Sequence, residues 1–158
     1  TTDNITNSVS AAGIALTDDD AGLAMFNVSG ITPGNPSAEC VTVTYNGTIT
    51  PSAAVQIYAD SNNPSGTGLE TYLDMTLEVG TGGSSSSCAG FTPGTTLYAG
   101  TLGSYLATYP NYGAALSTGW TPTGAGQTRT FKITLAVQDN NLAQTLTTGF
   151  GFVWEARS

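Results

Sequence analysis

The chain has 158 residues, enough for one compact domain that buries roughly 70% of its unfolded surface around a single core. Only 9% of its residues are charged, against about 25% in an average soluble protein, so Thr, Ser, Asn, Gln and Gly must cover the wet faces. With only Arg129, Lys132 and Arg157 as cations and a formal charge of -8, the chain repels phosphate backbones and anionic headgroups, which excludes nucleic acid and membrane surfaces as partners.

No apolar run approaches the eighteen or so residues that cross a bilayer, and no charged-then-apolar leader opens the sequence. Beginning on Thr1-Thr2 without a methionine, the chain reads as the mature form of a secreted protein. Cys40 and Cys88 are an even pair in a low-charge, Thr-rich sequence, which predicts a disulfide and an extracellular setting. Closing a loop of this length stabilises by about 4 kcal/mol in the chain-entropy model.

In chain order, Asp18-Asp19-Asp20 forms the densest charge and predicts an acidic turn. Thr32-Pro33-Gly34-Asn35-Pro36 is a turn signature, because proline fixes φ and glycine admits positive φ. From 41 to 50, apolar and hydroxyl side chains alternate, which places Val41, Val43 and Tyr45 on one face of a half-buried strand. The same period of two returns at Val55, Ile57 and Ala59, and again from Tyr72 to Val79. The run of Gly and Ser over 80–87 is too polar to pack and reads as a mobile loop on a surface hairpin, tethered at Cys88. Leu102, Tyr105, Leu106 and Tyr109 fall at spacings of three and four, compatible with one or two helical turns within 101–112. A turn at 121–124 precedes a strand carrying Phe131, Ile133, Leu135 and Val137, and a last strand carries Phe150, Phe152 and Trp154. Repeated strand and turn spacing with no interdomain linker predicts a single β-sandwich.

The sequence contains no histidine, which removes the commonest general base, the usual zinc ligand and the middle member of a Ser-His-Asp arrangement. Glu70, Asp74 and Glu78 are the carboxylates spaced for glycosidase-type chemistry, but on a strand they share one side with Tyr72 between two of them, as on a solvated edge. Asp18, Asp19 and Asp20 offer oxygen ligands for calcium without the spaced D-x-D-x-D-G loop, and Asp139 with Asn140 and Asn141 forms a second oxygen-rich turn. Neither pattern specifies a metal, so no cofactor is expected, calcium being the one candidate. Asn4, Asn27 and Asn46 head Asn-x-Ser/Thr triplets that a Thr-rich sequence produces by chance. Lys132 sits on the polar face of its strand and reads as a plain exposed lysine rather than as an isopeptide partner.

Several blocks together carry a resemblance: Ala-Ala-Gly-Ile-Ala-Leu-Thr-Asp over 11–18, Met-Phe-Asn-Val over 25–28 leading into Thr32-Pro33-Gly34, and Cys-Val-Thr-Val-Thr-Tyr over 40–45. Gly-Leu-Glu-Thr-Tyr-Leu-Asp over 68–74, Gly100-Thr101-Leu102, Asp-Asn-Asn-Leu-Ala-Gln over 139–144 and Phe-Gly-Phe-Val-Trp-Glu-Ala over 150–156 follow in order. The chain resembles the TasA/camelysin family of secreted bacterial proteins, especially actinobacterial members, and is similar in this respect to archaeal bundling pilins.

The resemblance implies an all-β, jelly-roll-like antiparallel β-sandwich with at most one or two short helices, polymerising as a cell-surface or biofilm-matrix fibre. It implies that residues 1–12 form a donor strand, that 13–158 form the sandwich, and that the chain's partner is itself, with minor anchoring or tip subunits as further candidates. Ile5, Asn7, Val9 and Ala11 fall on one side of an extended segment, as such a strand requires. Camelysins are described as metalloproteases, but without histidine ligands that activity does not carry over, and the chain is read as non-enzymatic. The competing reading is a secreted carbohydrate- or surface-binding module that stacks ligand on exposed Tyr105, Tyr109, Tyr112 and Trp120, a set that equally fits a core or a subunit interface.

Overall fold

The computed structural model of the protein describes residues 14–19, 31–62 and 64–158. It is an antiparallel β-sandwich. The larger sheet has five strands: β1 (Leu16–Asp18), β2 (Ser37–Tyr45), β5 (Leu73–Thr81), β6 (Thr92–Thr101) and β8 (Thr128–Val137). Their spatial order is β1-β2-β8-β5-β6. The smaller sheet orders β10 (Phe152–Glu155), β3 (Gln56–Ala59) and β7 (Leu116–Ser117), and a short ribbon pairs β4 (Ser65–Gly66) with β9 (Thr148–Gly149).

Period-two patterning explains which side chains fill the space between the sheets. Val41, Val43 and Tyr45 of β2 face inward with Phe131, Ile133 and Leu135 of β8 and Leu73, Met75 and Leu77 of β5, all fully or almost fully buried. The opposing layer supplies Ile57, Phe152 and Trp154, with the Trp154 ring centre 5.4 Å from that of Phe131 and the rings tilted by 56°. Threonines dominate the outer face of the larger sheet, where the Thr42 and Thr130 hydroxyls hydrogen-bond at 3.1 Å.

The short helix forms as the spacing of three and four suggests: α1 (Leu102–Thr108) buries Leu102, Tyr105 and Leu106 and packs against β3, β5 and β6. The Thr101 hydroxyl caps it by accepting from the Ser104 N–H at 3.2 Å. The turn at 32–35 also forms as its composition dictates: Gly34 has φ +83° and the Asn35 N–H donates to the Thr32 carbonyl at 3.1 Å.

Two expectations change. The strand read from Tyr72 begins at Leu73, because Leu69–Tyr72 form a 3-10 turn; β5 is an interior strand, flanked by β8 and β6, not an edge. The Gly/Ser run is not a free loop. Ser84 and Ser87 exchange both backbone hydrogen bonds, at 2.8 and 3.1 Å, in a tight hairpin, and the Asp19 carboxylate accepts from the Ser85 N–H at 2.8 Å. The strand β6 carries no legible alternation because it bulges twice: Leu97 and Gly94 are extra residues against β5, at the register shifts between Leu77 and Glu78 and between Val79 and Gly80.

Candidate functional site

The two sheets do not match in width. Three strands cannot cover five, and the shortfall falls on the side where β6 and β7 are the outermost strands. There an open groove of about 830 Å³ runs between Thr92–Thr95 and Leu97 on one wall and Ser117–Thr121 on the other, with Val79, Gly80 and Arg129 at its floor. Beyond β6 and β7 no further strand pairs among the described residues. The groove is bordered by strand edges whose outward N–H and C=O groups have no ladder partner among the described residues, the usual template for an added strand.

Local sequence explains each wall. β7 is cut to two residues because 118–120 turn back on β3: Thr118 N–H donates to the Val55 carbonyl at 3.0 Å, and Val55 N–H donates to the Trp120 carbonyl at 2.8 Å. The Thr118 hydroxyl adds a buried bond to the same Val55 carbonyl at 2.8 Å. On the opposite wall, β6 has no charged side chain and keeps Pro93 and two bulges at its exposed edge. A Cβ at Gly80 would run into the Thr92 carbonyl oxygen, so glycine is needed where β5 and β6 approach at the second bulge. Val79, paired with exposed Thr95, is the one member of β5's inward row that reaches 8% exposure.

Among the described residues, Arg129 is the single charged one lining the groove. It shares the inward row of β8 with Phe131, and its guanidinium lies 5.7 Å from the Trp120 ring centre, a cation–π arrangement. Its Nη1 donates to the Thr128 carbonyl at 2.8 Å.

A second, separate cluster sits on the outer side of the smaller sheet. Glu155, 3% exposed, accepts from the Tyr58 hydroxyl at 2.5 Å and pairs with Arg157 Nε at 2.6 Å, while the Arg157 guanidinium stacks 3.5 Å above the Tyr112 ring. Burial, and then the bond to Glu155, push the Tyr58 phenol well above the ordinary tyrosine value. The buried carboxylate is therefore fully partnered, and the cluster closes the C-terminal strand onto β3.

The remaining sequence candidates are placed as follows. Cys40 on β2 and Cys88 in the β5–β6 loop form the disulfide, with Cα atoms 5.4 Å apart. This bond points to an oxidising environment, and no described helix is long and apolar enough to cross a membrane. Asp19 spends its carboxylate on the Thr42 and Ser85 amides, at 2.7 and 2.8 Å, tying the hairpin to β2. Asp18 pairs with Val43 at the opposite end of the sheet from Asp139, and no group of three metal-binding side chains occurs among the described residues. Asp20 and the donor-strand residues Ile5, Asn7, Val9 and Ala11 lie outside the described residues, as do Asn4 and Asn27.

Asp74 and Glu78 point outward from β5, with Gln138 donating to Asp74 at 2.7 Å, whereas Glu70 lies in the preceding 3-10 turn, so the three carboxylates do not share one strand face. The aromatic platform also dissolves: Tyr105 and Trp120 are buried and Tyr109 and Tyr112 half-buried, because α1 turns Tyr105 into the core and 118–120 folds Trp120 against Val55. Lys132 is half-buried, its ammonium 5.7 Å from the centre of the Phe91 ring. No protein-family model and no curated protein matches the chain.

Proposed function

We propose that the protein is a structural subunit of an extracellular fibre, related to the TasA/camelysin family, in which residues 1–12 of one copy enter the β6/β7 groove of the next. The observation that carries this reading is the groove itself: a five-stranded sheet faced by three strands, bordered by the β6 and β7 edges, on which no further strand pairs among the described residues. An added strand beside β7 would cover Val79, Thr95 and Leu97 and complete the smaller sheet.

The energetics favour such a docking. A strand of about ten residues makes several main-chain hydrogen bonds with a net value near 1 kcal/mol each, and each fully buried apolar side chain such as Ile5 or Val9 contributes about 1.5 to 3 kcal/mol. That sum can exceed the cost of association, about 4 to 15 kcal/mol. Donor and acceptor surfaces differ, so the contact is heterologous and propagates into a filament rather than closing as a dimer. Stepwise covering of edges also limits misassembly, since each docking event covers the open edges that would otherwise recruit any extended chain. A disulfide-stapled subunit with few charged side chains suits life outside the cell.

The test is electron microscopy of the purified chain beside a variant lacking residues 1–12. Filaments are expected for the full chain, and folded monomers for the truncated one. Monodisperse particles from both would overturn the proposal.

A further inference from the structure

We infer that Arg129 sets the register of the incoming strand by pairing with Asp3 of a second copy of the chain, an inference that rests on the fibre reading above. Three observations converge on it. Arg129 occupies the inward row of β8, a position filled by Phe131, Ile133 and Leu135 further along the strand, so a charge stands where the sandwich calls for an apolar side chain. It lines the groove as the single charged side chain there among the described residues. Its guanidinium has a backbone carbonyl and the face of Trp120 for company, and no carboxylate within ion-pair reach among the described residues, where Arg157 and Glu155 form the one ion pair.

The chain's other cations are already engaged, Arg157 by Glu155 and Lys132 against Phe91 beside cross-strand Glu78. A partly desolvated guanidinium with unused donors is a strong receptor for a carboxylate, which it can grip with two parallel hydrogen bonds. The donor segment brings one such group. Asp3 is the sole charged side chain in residues 1–12, and it stands on the same alternation as Ile5, Asn7, Val9 and Ala11. Odd-numbered residues of the donor thus present one carboxylate followed by a largely apolar row to a groove that offers one arginine and an apolar lining of Val79, Leu97 and Trp120. A slip of one residue would turn the whole row away from the core, and a slip of two would bury Asp3 against apolar surface, so the pair fixes a single register.

The experiment is a charge swap read by sedimentation of polymer from the full chain. Asp3→Lys and Arg129→Asp are each expected to raise the concentration of unpolymerised subunit at least tenfold, about 1.4 kcal/mol, and the double swap to restore most of the loss. Arg129→Gln, with its thermal unfolding compared with that of the parent chain, separates a lost contact from a lost fold. The parent polymer should also weaken as salt rises, a dependence that Asp3→Asn removes. Single variants that polymerise like the parent, or a double swap no better than Arg129→Asp, overturn the pairing while leaving the fibre reading intact. A synthetic peptide of residues 1–12 added to the full chain decides the case in which no polymer forms. Binding that Asp3→Lys in the peptide weakens supports the pair. Equal binding of both peptides sinks the pair alone, and no binding of either sinks both ideas.

Discussion

At one end of β5, Leu73, Met75 and Leu77 lie beneath α1 and a cluster of rings, whereas at the other end Val79 opens onto the groove. At the closed end Tyr105 meets Tyr98 at 5.2 Å, Tyr109 at 5.0 Å and Phe152 at 5.4 Å, so the helix that follows β6 bridges the two sheets with aromatic contacts. At the open end the sheets are bridged by Trp120 and Arg129. Closure here is a local device: the seven-residue helix directly after β6 seals one end, and nothing equivalent follows β7, where Thr118 and Trp120 bond back to Val55. The apolar surface left at the open end is limited to a few residues, Val79 at 8% exposure and half-buried Leu97 among them.

The largest effect should come from breaking the closed end. Tyr105→Ala removes a fully buried ring and is expected to cost about 3–5 kcal/mol in urea denaturation; a loss below about 1 kcal/mol would mean that the helix is not what seals the core. A smaller, graded loss is expected at alkaline pH. Burial, followed by the neighbouring Tyr109 and Tyr98, raises the Tyr105 phenol above its ordinary value. The folded state therefore holds its proton more tightly than the unfolded chain. That contribution is complete below about pH 10 and is lost as pH climbs through the folded value. Tyr105→Phe should flatten this alkaline limb while keeping stability near neutrality, since the buried hydroxyl finds no hydrogen-bond partner among the described residues. An unchanged pH profile in that variant would remove Tyr105 from the account. The smallest effect belongs to the open end. Leu97→Asn, on the half-buried bulge of β6, should change subunit stability by less than about 1 kcal/mol yet abolish filament growth seen by electron microscopy. Equal losses of stability and assembly would erase the distinction between the two ends.

Much of the closed end was legible in sequence. Alternation named the inward residues of β2 and β8, the spacing of Leu102, Tyr105, Leu106 and Tyr109 marked the helix, and the cysteine pair predicted the bond that forms. What alternation could not reveal was β6, because two bulges and Pro93 break its period, and an edge strand has only one neighbour to enforce it. The groove was hidden for a further reason: Val79, Leu97 and Arg129 come from three strands and Trp120 from the loop after β7, and they meet only through sheet order, which no local window contains. The exposed aromatic platform failed because composition cannot tell which way a helix turns its rings; cross-sheet space decided it for Tyr105, and the wrap of 118–120 onto Val55 decided it for Trp120. The role of Asp19 was likewise invisible, since its amide partners, Thr42 and Ser85, lie 23 and 66 residues away in sequence.

The disulfide has a mechanical side. Cys40 sits on β2 and Cys88 in the loop joining β5 to β6, so the bond spans the larger sheet across β8 and links strands that the ladder joins only through intermediates. In the proposed fibre under tension, each subunit would be pulled through the segment that precedes β1 in sequence and by whatever grips β6. A sheet drawn apart from its two margins resists with rows of hydrogen bonds that rupture in sequence, at a rate that rises with load. Here part of that load passes along a covalent strut, and the strands between the two cysteines are shielded from unzipping. Reduction would therefore shorten the lifetime of a stretched filament far more than that of a resting one.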